Sequence, residues 1–183
     1  MPNQRLFKEY KEAMSSAKND TEVHLSLPDE ANIFNWRATI QGPEATPYEA
    51  GRFALDIECP PNYPLQPPKV TFLTNVFHPN IAFKSGKKLR NTHPSLTTEM
   101  CGTTNSRKIY ALAGEICLDI LKPDSWTPAW TIASVCRAIS VLLSHPEADS
   151  PLNCDCGNLI RNGDMRGYRS MARMYTRLYA MEE

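Results

Sequence analysis

Cys117 lies in the run Gly114-Glu115-Ile116-Cys117-Leu118-Asp119-Ile120-Leu121, with a carboxylate two positions on and Trp126-Thr127-Pro128-Ala129 close behind. A thiolate is a nucleophile, so Cys117 is the residue here that could carry covalent chemistry. An isolated cysteine in an apolar run is more often a small core residue, so the neighbours must decide. No histidine adjoins Cys117. The candidate base for a Cys-His hydrolase is His78, in His78-Pro79-Asn80-Ile81. Asn80, taken by itself, reads as a residue that caps a turn.

Positioning these groups requires a framework, and the chain shows one. Residues 3 to 18 place Leu6, Tyr10, Ala13, Met14 and Ala17 on one face, with Arg5, Lys8, Glu9, Lys11 and Glu12 on the others, which predicts an amphipathic helix. Apolar and polar residues then alternate over 23–27, 33–40, 53–57 and 70–73, separated by Gly, Pro, Asn and Asp turns. That pattern predicts four antiparallel strands in a meander. Between the last two, Pro60-Pro61-Asn62-Tyr63-Pro64-Leu65-Gln66-Pro67-Pro68 is too rich in proline for helix or central strand, and must be a rigid exposed loop. Thr131 is placed to cap a helix with Ile132, Val135, Ile139, Leu142 and Leu143 inward, ended by His145-Pro146. A short helix is expected near 157–161. Asp164 should cap a last one carrying Tyr168, Met171, Ala172, Tyr175, Leu178 and Tyr179 inward. Helix, meander and helices together define an α+β class.

Composition narrows the possibilities. The chain has 183 residues, enough for one well-cored domain, so a single domain over 1–183 is expected. Twenty basic and twenty acidic side chains cancel, which argues against nucleic acid as a main partner. Six irregularly spaced cysteines, no CxxC and no secretory leader favour a reduced intracellular compartment without disulfides. Cys154-x-Cys156 has no second Cys/His pair at finger-like spacing, so no metal and no other cofactor is expected. No apolar run approaches the roughly 20 residues of a membrane span.

The motif order Tyr63-Pro64-x-x-Pro67-Pro68-Lys69-Val70, His78-Pro79-Asn80-Ile81, Gly114 to Leu121, Trp126-x-Pro128-Ala129 and Asp149-x-Pro151-Leu152 resembles the ubiquitin-conjugating enzyme family. Within it, Lys122 to Trp130 and Gly157 to Met165 look most like the peroxisomal branch. The resemblance implies the conjugating-enzyme fold and a Cys117 thioester accepted from the activating enzyme, with ATP spent on that enzyme. His78 would pin the loop, leaving a hydrolase unfavoured. Asn80 would serve the oxyanion or brace the loop, Asp119 would flank the sulfur, and Ser150 stands where many relatives place a second acid at the site's gate. That departure leaves room for a cysteine acceptor, whose thiol pKa near 8.5 is below the roughly 10.4 of lysine.

Arg5, Lys8, Leu65, Pro128 and Ala129 resemble the face that binds a RING-type ligase and the activating enzyme. Ubiquitin is the implied cargo, and peroxin-22 the implied membrane-anchored adaptor, recruiting a cytoplasmic chain to the peroxisome to act on the import receptor. A general cytosolic enzyme making lysine-linked chains, a non-catalytic scaffold of the same fold and an enzyme for another ubiquitin-like protein are the alternatives.

One block stands apart. Thirty-seven positions separate Asn80 from Cys117, far beyond the family's short spacing. Residues 87–114 hold seven Ser/Thr, five basic residues and one acidic residue, leaving 15 basic and 19 acidic elsewhere. The block reads either as a regulatory loop or as a translated intron. The second is favoured, because Gly86-Lys87 and Ala113-Gly114 can encode splice borders and removing the block keeps the frame and joins Gly86 to Glu115. Either way, 87–113 is expected to be mobile.

Overall fold

The computed structural model describes residues 2–17, 19–83 and 114–181. The expected mobility of 87–113 falls outside them. Helix α1 (Pro2–Ser16) leads into β1 (Val23–Ser26), β2 (Asn35–Gln41), β3 (Arg52–Glu58) and β4 (Lys69–Phe72). After the 87–114 block come a single 3₁₀ turn (Asp119–Leu121), α2 (Ile132–Ser144), α3 (Cys154–Arg161) and α4 (Met165–Tyr179).

The sheet is the expected meander, β1-β2-β3-β4, antiparallel throughout. Register aligns Leu25, Ala38, Leu55 and Phe72 across the four strands. The two-residue period then places Trp36, Ala38, Ile40, Phe53, Leu55, Ile57, Val70 and Phe72 in one buried face. Helix α2 covers it with Ile132, Val135, Cys136, Ile139 and Leu143. Each large side chain so buried contributes about 1.5–3 kcal/mol. Thr131 caps α2 as expected, in a reciprocal capping box with Ser134.

Three local expectations need correction. Glu9, assigned to the solvent face of α1, is only 6% exposed, because three donors converge on its carboxylate. On α4 the buried positions are Tyr168, Ala172 and Thr176, with Ala180 buried at the C-cap, while Leu178 and Tyr179 are exposed. Thr176 fits there because its hydroxyl donates back to the Ala172 carbonyl (2.9 Å) and needs no water. Helix α3 starts three residues before Gly157, because Asn153 accepts from the Cys156 N–H (3.2 Å) and caps it.

Candidate active site

The site begins with two turns stitched to each other. His78 is completely buried, and its Nδ1 accepts from the Asn80 N–H at 3.1 Å. Burial pushes its pKa down to about 3, against a smaller opposing effect from the Leu142 backbone. The ring is therefore neutral, with Nδ1 occupied. It pins the turn, and no hydrogen bond joins it to Cys117 among the described residues.

Asn80 lies beside it, 4% exposed. Its side chain closes a reciprocal pair with the Glu147 backbone: Nδ2 donates to the carbonyl (3.0 Å) and Oδ1 accepts from the N–H (2.9 Å). Of its two expected roles, the brace is the one occupied in this state. The Pro79 carbonyl adds two more stitches, accepting from the N–H groups of Leu152 (2.8 Å) and Asn153 (3.1 Å). The segment from 147 to 153 is thereby held against the His-Pro-Asn turn.

Cys117 enters from the other side. Its N–H donates to the Asn80 carbonyl at 2.8 Å, and an isolated bridge pairs Ile81 with Ile116. Thr71 pairs with Glu115, so residues 114–117 run between the β4 edge and the turn. Gly114 makes this close passage possible. Its φ is +86°, and a Cβ there would meet the Phe72 carbonyl oxygen at 2.2 Å. Excision of 87–114 would leave Gly86 next to Glu115 in the sequence, so a glycine precedes Glu115 on either reading of the block.

The Cys117 side chain is half-buried against Ala82 and Leu152. Elsewhere, burial pushes the thiols of Cys59 and Cys136 up to about 12 and that of Cys156 higher still. Of the described cysteines, Cys117 and Cys154 are the two that are not buried, and Cys117 is the one whose N–H is tied to the Asn80 carbonyl. Asp119 opens the 3₁₀ turn two residues on, and its exposed carboxylate is held by Lys122 Nζ at 2.6 Å. The hydrogen bond to Asp119 raises the Lys122 pKa, aided by the charges of Asp119, Cys117 and Glu147. The sequence reading took Lys122 only as the start of a motif and missed its pairing with Asp119, although their three-residue spacing was a usable signal. Ser150 is exposed in the segment that Leu152 anchors. Its neighbour Pro151 docks where a Cβ on Gly157 would come within 2.6 Å of Pro151 Cγ.

The five expected partner-binding residues fall on connected elements. Leu65 is 75% exposed at the tip of the proline-rich loop, and Pro128 and Ala129 are exposed too. Trp126 Nε1 donates to the Pro64 carbonyl (2.8 Å), joining the loop to the Trp-Pro turn. Arg5 Nη2 reaches the carbonyls of Pro128 (3.3 Å) and Trp130 (3.2 Å), joining that turn to α1. Arg5 is therefore largely engaged within the chain, while Lys8 is exposed and only loosely paired with Glu12 at 3.7 Å. Sequence reasoning missed Glu9 beneath them. Its spacing from Arg5 was visible, but its other partners are 54 and 123 positions away. Among the described residues, no helix is long and apolar enough to cross a membrane.

Comparison with known proteins agrees with this geometry. A family profile described as ubiquitin-conjugating enzyme matches residues 5–89 and 103–176, and its break falls inside the 87–114 block. The chain is 52% identical to Protein PEROXIN-4 of Arabidopsis thaliana over 177 residues, covering 97% of this chain and 94% of that protein. It is 50% identical to the ubiquitin-conjugating enzyme E2 pex4 of Dictyostelium discoideum, over 96% of this chain and 97% of that one. Among solved structures it is similar to the H. polymorpha ubiquitin-conjugating enzyme Pex4p, crystallised in complex with the soluble domain of Pex22p. The TM-score is 0.78 at 30% identity, with 99% of each chain covered.

Proposed function

The chain belongs to the ubiquitin-conjugating enzyme family, and from that premise we propose that Cys117 is the sulfur that carries ubiquitin. The observation that supports this most is its setting: a half-buried thiol whose own N–H is fixed to Asn80, facing a loop that Asn80 and Pro79 hold in place. The Cys117 thiolate attacks the activating enzyme's ubiquitin thioester, the activating enzyme's thiolate leaves, and the acyl group now resides on Cys117. An acceptor nucleophile then attacks the same carbonyl and expels the Cys117 thiolate. As that carbonyl becomes tetrahedral, Asn80 supports the site by holding the loop.

The acceptor we favour is a cysteine of the peroxisomal import receptor. Two features support it. Ser150 supplies no carboxylate at the gate, and the Asp119 carboxylate is already paired with Lys122. A lysine acceptor, with an ordinary pKa of about 10.4, has little help in losing its proton here, whereas a thiol near 8.5 needs less. Recruitment to the peroxisome through a peroxin-22-like adaptor is proposed from the similarity to the Pex4p–Pex22p complex. The activating enzyme and a RING-type ligase are assigned to the face of Arg5, Lys8, Leu65, Pro128 and Ala129, where their binding excludes one another.

The test is a charging reaction with ubiquitin, activating enzyme and ATP, followed by a chase with free cysteine or free lysine. We expect a DTT-sensitive adduct that discharges onto cysteine much faster than onto lysine. Equal or faster discharge onto lysine would refute the acceptor assignment, and no adduct would refute the enzymatic one.

A further inference from the structure

Glu9 is a buried carboxylate that the transfer chemistry leaves unused. Its carboxylate receives three donors from three parts of the chain. Arg5 Nε donates to Oε1 at 2.6 Å, from one turn earlier in α1. The Tyr63 hydroxyl donates to the same oxygen at 2.9 Å, from the proline-rich loop. The Ile132 N–H donates to Oε2 at 2.8 Å, from the first turn of α2.

That third bond is an unusual cap. A helix leaves its first N–H groups without intrahelical partners, and its N-terminus favours an anion. Thr131 takes care of the Ser134 N–H, while Glu9 reaches in from another helix and takes the Ile132 N–H. The Arg5 guanidinium, oriented by Glu9, spans on to the carbonyls of Pro128 and Trp130. Tyr63 precedes Pro64, whose carbonyl is held by Trp126. One buried carboxylate thus connects α1, the turn carrying Leu65 and the turn carrying Pro128 and Ala129.

We propose that Glu9 is a positioning residue for partner recognition. It locks these three segments into a preformed surface, so that the activating enzyme binds without having to order them. A surface already in its bound arrangement avoids the entropic cost of being ordered on contact, and that cost appears directly in affinity. Glu9 touches neither partner nor reacting atoms, so its loss should weaken recognition and leave the chemistry at sulfur intact. The inference rests on the proposed use of this face by the activating enzyme.

The experiment compares the full chain with Glu9→Gln and with Tyr63→Phe, a gentler variant that removes one donor and leaves the carboxylate. Charging is measured against concentration of this protein. Discharge of the preformed thioester onto free cysteine is measured separately, and amide exchange is followed over 63–66, 126–132 and 114–121. For Glu9→Gln we expect the KM in charging to rise about tenfold, equivalent to about 1.4 kcal/mol, with discharge unchanged. Tyr63→Phe should show a smaller rise of the same kind. Exchange over 63–66 and 126–132 should accelerate together while 114–121 stays as it was. An unchanged KM, or a parallel loss in charging and discharge, would overturn the proposal. Failure of the unmodified chain to charge would sink the enzymatic reading instead. Exchange needs no ubiquitin and would still decide the coupling: joint acceleration supports it, and no acceleration overturns it.

Discussion

Around Cys117 the supports are neutral, whereas around Leu65 and Pro128 the support is a buried carboxylate. The sulfur is framed by backbone amides, the Asn80 side chain and an uncharged His78. Leu65 and Pro128 are tied together through Glu9, Arg5 and Tyr63. The difference suits the two tasks. Neutral braces hold the loop, and the charges nearest the sulfur in sequence, Asp119 and Lys122, are exposed and paired with each other rather than part of the brace. A buried charge can be used on the partner face, because no bond changes there and three donors offset its desolvation.

The comparison can be broken from either side. Cys117→Ser should have the largest effect: ubiquitin transfer is lost, and the adduct becomes an oxyester that survives DTT on a non-reducing gel. Next comes Asn80→Ala, which strips the Glu147 N–H and carbonyl of their partners. Discharge should fall on the order of 10²-fold, the scale of losing an organising amide at an acyl-transfer site. Asn80→Asp keeps the acceptor for the Glu147 N–H but sets a charged oxygen against the Glu147 carbonyl, and should recover little of the rate. A full rate in Asn80→Ala would show that the brace is dispensable.

His78 makes the neutral side acid-sensitive. Its folded pKa is depressed to about 3 from about 6.5 by burial. Its contribution is thus fully present above about pH 6.5 and lost as pH falls toward 3. Unfolding by urea should show stability lower by about 2 kcal/mol at pH 5 than at pH 7. His78→Gln should flatten that slope while costing stability at both pH values. An unchanged slope in the variant would place the acid sensitivity elsewhere.

Much of this was legible in the sequence, and the exceptions share a cause. The strands of the meander announced themselves because a period of two is local, and Thr131 did so because a cap is read three residues away. Glu9 was misread because its donors Tyr63 and Ile132 are brought near only by the fold. The end of α4 was misread because a threonine that satisfies its own hydroxyl can replace a larger apolar residue at an inward position. At the site, the sequence showed which groups were present but not that Lys122 occupies the Asp119 carboxylate or that Asn80 is engaged by Glu147.

Two smaller effects sharpen the contrast further. Ser150→Asp should raise discharge onto free lysine several-fold by returning a carboxylate to the gate, with discharge onto cysteine little changed. Unchanged and already fast lysine discharge would remove the argument for a cysteine acceptor. Deleting 87–114 joins Gly86 to Glu115 and so keeps a glycine in the tight passage beside Phe72. Charging should then change by no more than about twofold, because a glycine still precedes Glu115 and loop length costs little. Sequencing of cDNA across Gly86 to Glu115 should find most messages without the block; its retention in most would identify it as a genuine loop.

The most direct test of the whole account is the intact mass of the chain after charging with ubiquitin, activating enzyme and ATP. Cys117→Ala, Cys154→Ala and Cys136→Ala variants are measured beside the unmodified chain. We expect a single ubiquitin adduct that DTT removes, present in the Cys154 and Cys136 variants and absent from Cys117→Ala. A DTT-sensitive adduct that persists without Cys117, or none on the unmodified chain, would contradict it.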